Sequence, residues 1–162
     1  MKLAAEAKAS RAPAAPRVRL VTVERVIAAE EIGPPVRLPI AAARHAQAVL
    51  SGKDREHFMV LHLDARHRVV SLEVVSVGTL TSSLVHPRET FKGAILANAA
   101  AIIAAHNHPS GDVEPSQEDR ALLQRLKDAG QLLGIPLLDF LVVADSAYWS
   151  ASEQGLMNGG QP

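Results

Sequence analysis

AAAIIAAHNHPSGDVEPSQEDRALLQRLKDAG, residues 99–130, carries three local signals in one run. Residues 99–106 are apolar almost without interruption, as in a strand buried on both faces of a sheet. Residues 116–130 place Leu122, Leu123 and Leu126 at helical spacing behind Ser116, with Glu118 and Asp119 in the first turn. That predicts an amphipathic helix with Ser116 as N-cap, acids at its positive end and Gly130 near its finish. The segment HNHPSGDVEP between them reads as a loop with a Pro-Ser-Gly turn.

Working outward, HFMVLHLD (57–64) and HRVVSLEVVSVG (67–78) are apolar, β-rich runs joined by a short turn, which predicts a β-hairpin. Upstream, Pro39 opens a helix, IAAARHAQAVL, that Gly52 ends. Downstream of the hairpin, residues 80–85 read as a short strand and Pro87 opens a helix, PRETFKGAILANAA. PLLDFLVVAD (136–145) reads as a strand, with AYWSASE pairing to it. The expected class is α/β, a mixed β-sheet with α-helices against it. Residues 1–35 read as a basic tail and linker or arm, with a short helix at 2–10 and an edge strand at 17–26; residues 155–162 read as a second tail.

Composition narrows the functions. Lys plus Arg equals Asp plus Glu at 17 each, so no overall field gathers phosphate backbones. The first 20 residues are locally basic, with Lys2, Lys8, Arg11, Arg17 and Arg19 against Glu6. Three Phe, one Tyr and one Trp make stacking platforms for single-stranded nucleic acid a poor expectation. With no cysteine, a disulfide scaffold, a Cys-type zinc site and thiol catalysis are excluded. No apolar run is long enough to span a membrane and no signal peptide is legible; a cytoplasmic location is expected.

The chemistry concentrates at the strand end. Residues two apart on an extended backbone point the same way, so His106 and His108 project together. Two neutral imidazoles at that spacing can share one metal, and Asp119, in the first turn of the following helix, can supply a third ligand. Two His and one carboxylate leave a position for water, whose pKa a metal lowers from about 15.7 toward about 7. Ser116-Gln117-Glu118-Asp119 is also a variant capping box, in which Asp119 reaches back to the Ser116 N–H. His57 and His62 read as strand side chains, His67 as a turn residue and His86 as a polar residue before Pro87. Asn98, Asn107 and Ser110 hold the loop or support the site.

Together these residues resemble a known family. His106, His108, Pro109, Ser116 and Asp119 fit the JAMM (MPN+) metalloprotease signature, two histidines one residue apart and then proline, followed by Ser-x-x-Asp. The wider context resembles the bacterial RadC-like family: LHLDARHRVVSLEVVSVGTL, SLVHPRETF, NAAAIIAAHNHPSGDVEPSQED and LLGIPLLDFLVV, over roughly residues 36–154. The resemblance implies a JAMM/MPN-like fold (cytidine-deaminase-like) for residues 36–154, with zinc (Zn2+) on His106, His108 and Asp119. It also implies an upstream glutamate as proton carrier. Glu56, in REHFMV just before the first hairpin strand, fits the family form better than Glu73 on the second strand. The Ser116 hydroxyl would help to stabilise the oxyanion. The reaction implied is hydrolysis of a peptide or isopeptide bond in a peptide or protein substrate. A second reading is a DNA-repair or DNA-transaction accessory protein that binds nucleic acid or partner proteins without turnover. Many RadC-like chains read Asp-His where this one has Asp139-Phe140, so no role is carried to that position.

Overall fold

Residues 33–78 and 85–157 are described by a computed structural model. The helix expected at 2–10, the strand at 17–26 and all but Val85 of the strand at 80–85 lie outside the described residues. In chain order the elements are α1 (Pro39–Leu50), β1 (His57–Leu63), β2 (Val69–Val77), α2 (Pro87–Leu96), β3 (Ala101–Asn107), α3 (Gln117–Leu133), β4 (Leu137–Val143) and β5 (Tyr148–Ser150). The strands form one mixed sheet in the order β2-β1-β3-β4-β5.

The continuous apolar run takes the central position: every residue of β3 is buried. β1 pairs with it antiparallel, with Phe58 opposite His106 and His62 opposite Ile102. β4 lies parallel on its other side, a pairing that needs a crossover connection, and α3 supplies it.

The sheet is covered on both faces, as the composition of its strands requires. One face packs Phe58, Val60, Ile102, Ala104, Phe140 and Val142 against Phe91 of α2 and Leu122, Leu123 and Leu126 of α3. The other packs Met59, Leu61, Ile103, Ala105 and Leu141 against Ala42, Ala43, Ala46 and Leu50 of α1. Helices lie on both faces of the mixed sheet, as expected. Each fully buried leucine or phenylalanine contributes about 1.5–3 kcal/mol to holding these layers together.

Two helix ends differ from the sequence expectation. α2 stops at Leu96, because Asn98 turns left-handed (φ 53°) and the N–H groups of Asn98 and Ala99 return to the carbonyls of Ile95 and Ala94. α3 runs past Gly130 to Leu133 and ends the same way at Gly134 (φ 69°). Gly130 is a packing glycine: a Cβ there would lie 2.7 Å from the Ile135 carbonyl oxygen and 3.2 Å from the Phe91 ring.

Candidate metal centre

β3 delivers the two histidines. Strand alternation points His106 to the face covered by α2 and α3, where its ring stacks with Phe58 at 6.4 Å and meets the edge of Phe140 at 5.4 Å. His108 lies just past the strand, yet its N–H still reaches the Val143 carbonyl at 3.2 Å, so the backbone stays extended for one more residue. The chain then turns, with the Gly111 N–H donating to the His108 carbonyl.

α3 delivers the carboxylate. Its buried residues are Asp119, Leu122, Leu123, Leu126 and Gly130, so Asp119 occupies the first position of the apolar stripe. Packing the leucines against the sheet therefore presses this carboxylate onto the strand end. The result is a convergence: His106 Nε2 and His108 Nε2 are 3.1 Å apart, and Asp119 oxygens lie 3.2 Å from the first and 3.6 Å from the second. One ligand atom from each residue falls within 4.8 Å of the others. Asp119 and His106 are almost fully buried.

The capping box is present as well. The Ser116 Oγ accepts from the Asp119 N–H, while Asp119 Oδ2 accepts from both the N–H and the hydroxyl of Ser116, at 2.8 and 2.7 Å. Capping and ligand presentation are thus one arrangement, since the helix start fixes the rotamer that faces the histidines.

The donor set fits a metal. His108 Nδ1 lies 2.7 Å from the Asp112 carbonyl, which can only accept, so Nδ1 carries a proton and, in the neutral ring, Nε2 offers a lone pair. That lone pair faces a second imidazole nitrogen and a carboxylate. A single proton on His106 Nε2 serves one neighbour at a time, whereas a cation serves all three. Two Zn–N bonds at tetrahedral geometry place their nitrogens about 3.3 Å apart, close to the spacing found here. His106, His108 and Asp119 could therefore hold a metal ion.

Burial pushes the Asp119 carboxyl up, but hydrogen bonds from His106, His108 and Ser116 outweigh it and hold it far below the carboxylate range. His108 is raised, first by the Asp119 carboxylate and, against the opposing effect of burial, by the Asp112 carbonyl and the negative charge of Glu56.

The two upstream glutamates are in different places. Glu56 immediately precedes β1, half-buried, at the end of the sheet where His106 and His108 emerge. Glu73 pairs with Val60 midway along β2, and its carboxylate lies against Gly93 of α2, where His62 also approaches. Of the two, Glu56 lies at the end of the sheet where the histidines emerge, and its negative charge acts on His108. His57, His62, His67 and His86 stay outside it. His86 caps α2, accepting at Nδ1 from the Arg88 N–H, and His67 sits in the β1–β2 turn with φ 59°. A cavity of about 310 Å³ opens beside His108, walled by Leu50 and Lys53, Asn107 and Pro109, and Val143 and Asp145. Sequence reasoning did not show this cavity, because its walls come from three distant segments.

Comparison with known proteins places the chain in a family. The family model described as RadC-like JAB domain matches residues 36–156. A UPF0758 protein of Desulforudis audaxviator is 50% identical over 123 residues, covering 76% of this chain and 54% of that protein. A UPF0758 protein of Rubrobacter xylanophilus is 44% identical over 142 residues, covering 85% of this chain and 61% of that protein. A third, from Symbiobacterium thermophilum, is 55% identical over 104 residues, or 64% of this chain and 44% of that one. The chain spans about half the length of the curated relatives it matches. Among the described residues, no helix is long and apolar enough to cross a membrane.

Proposed function

From the premise that this chain belongs to the RadC-like JAB domain family, we propose that it is a zinc-dependent hydrolase of a peptide or isopeptide bond. The observation that carries this reading is the convergence of His106, His108 and Asp119 at one point, with Glu56 at the same end of the sheet. A scaffold held together by metal has no use for a proton carrier beside the ligands.

His106 Nε2, His108 Nε2 and an Asp119 oxygen would hold the zinc. Zinc supplies Lewis acidity, polarising a carbonyl and bringing the pKa of water at the site toward about 7. Glu56 takes a proton from the attacking water at its carboxylate and returns it to the leaving nitrogen. Ser116 orients Asp119 in the resting site; to donate to an oxyanion its hydroxyl proton must leave Asp119 Oδ2. The cavity beside His108 gives one flank of a peptide substrate a place to lie.

The test is metal analysis of protein purified without a His-tag, followed by incubation of the loaded protein with a library of internally quenched peptides. About one zinc per chain and cleavage abolished by a chelator are expected. Protein that folds and binds no zinc overturns the reading. Zinc binding without cleavage, accompanied by salt-sensitive duplex binding, would favour the DNA-accessory alternative.

A further inference from the structure

Asn107 stands between the two histidine ligands and points the other way, by the alternation of the strand. It is almost fully buried, 5% exposed. Its side chain does not face solvent or a hydrophobic layer; it reaches the segment that precedes β1. Asn107 Oδ1 accepts from the His57 N–H at 2.8 Å, and Asn107 Nδ2 donates to the Arg55 carbonyl at 3.0 Å. These two backbone groups flank Glu56 on either side. Only one orientation of the amide satisfies both, since a flipped group would set NH2 against N–H and oxygen against oxygen. A third bond closes the segment: the Gly78 N–H donates to the Glu56 carbonyl at 2.8 Å.

The β1–β3 ladder ends at the pair Phe58–His106. One residue further, the Asn107 side chain takes over the pairing that the main chain would have made. The strand that aims both histidines therefore also sets the backbone position of Glu56. The β1–β3 ladder does not by itself fix that relation, because residue 56 lies beyond its last pair.

We propose that Asn107 is the positioning residue for Glu56, coupling the proton carrier to the ligand strand through its two amide hydrogen bonds. This inference rests on the reading of Glu56 as the base. The Asn107 amide bonds the backbone on either side of Glu56 and none of the metal ligand atoms. It acts by keeping the Glu56 main chain in register with His106 and His108.

The test compares wild type with Asn107→Ala, Asn107→Asp and Glu56→Gln in the full chain, with three readouts. Zinc affinity, measured with zinc alone, should change by no more than about threefold in all variants, because the ligands and their outer partners remain. Amide hydrogen exchange at His57 should speed up at least about tenfold in Asn107→Ala relative to neighbouring β1 amides. On a cleaved peptide, kcat should fall about 10²-fold with KM unchanged, and the Asn107→Ala/Glu56→Gln double variant should be no worse than Glu56→Gln alone. Asn107→Asp keeps the acceptor for His57 and should retain its exchange protection, so it serves if the alanine variant does not fold. Unchanged exchange at His57 overturns the clamp. Faster exchange with kcat intact, while Glu56→Gln is inactive, overturns the positioning role. Loss of zinc in Asn107→Ala overturns it too, by placing Asn107 among the supports of the ligands. Absence of any hydrolysis in the wild type defeats the reading of the site as a hydrolase, and the exchange result still decides the clamp.

Discussion

The same face of the sheet holds two buried histidines, one toward each end, and they have much in common. His106 and His62 are both almost inaccessible, and each has one ring nitrogen without a partner among the described residues. Each has a serine near it and an acidic residue in reach: Ser116 and Asp119 at one end, Ser71 and Glu73 at the other. They lie four residues apart along the ladder, about 13 Å. What separates them is convergence. At the His106 end two more ligand atoms point at the same nitrogen. At the His62 end Nδ1 pairs with the Ser71 hydroxyl at 2.7 Å, while the Glu73 carboxylate fills the space left by the absent side chain of Gly93. A buried histidine alone is therefore a packing device, and a buried histidine with two aligned partners is a site.

The comparison breaks most directly at the metal. His106→Ala or His108→Ala should reduce bound zinc from about one per chain to a trace, a larger loss than the roughly 10–100-fold that removing an outer-shell partner costs. His62→Ala should leave zinc content unchanged. Elemental analysis of dialysed, tag-free protein decides it, and equal losses at both ends would erase the distinction. The next effect is on turnover. Glu56→Gln should keep zinc and lower kcat by roughly 10²–10⁴. Glu73→Gln should leave kcat as it was, because its carboxylate lies against Gly93 of α2 and next to His62. Activity lost in Glu73→Gln and kept in Glu56→Gln would exchange the two assignments.

The difference between the ends was unevenly legible in the sequence. His106, His108 and Asp119 declare themselves because two local rules act on them. Strand alternation aligns residues two apart, and the leucine stripe of α3 places Asp119 at its first buried position. The layers followed from the same periodicities. Glu56 and Glu73 could be ranked only by resemblance, since which glutamate reaches the histidines depends on strand pairing across some fifty residues. The Asn107 clamp has no local signal at all: an asparagine between two histidines reads as a loop residue until the pairing of β1 with β3 is known. The end of α3 was misplaced because Gly130 and Gly134 look alike in sequence. Only packing against Ile135 and Phe91 shows that the first is an interior contact and the second the stop.

A smaller effect tests the unpaired nitrogen of His106. A ligating histidine ordinarily donates its second ring N–H to an acceptor. His106 Nδ1 has no such partner, and the edge of the fully buried Phe140 approaches its ring instead. Phe140→His would offer an acceptor there. Zinc affinity, followed by competition with a chromogenic chelator, should rise by up to about tenfold. The metal-free protein should lose roughly 1–3 kcal/mol in urea unfolding, because an aromatic ring leaves the core. Weaker zinc binding would show that the apolar wall serves His106 better than an acceptor does.

The smallest effect belongs to His62, where no metal intervenes. Burial pushes its pKa below the ordinary histidine value. The folded chain then binds fewer protons at this residue than the unfolded chain does, so its contribution to stability rises with pH. That contribution is complete above the unfolded pKa of about 6.5 and is lost as pH falls below it toward the folded value. Wild type should therefore lose more urea stability between about pH 7.5 and 5.5 than His62→Gln does, by no more than about 1.4 kcal/mol per pH unit. His108, whose pKa moves the opposite way, titrates in both proteins and cancels in the difference. A difference of opposite sign would mean that folding protonates His62. Glu73, which meets it across Gly93, would then be its counter-ion, and the far end would be a latent ion pair instead of a packing device.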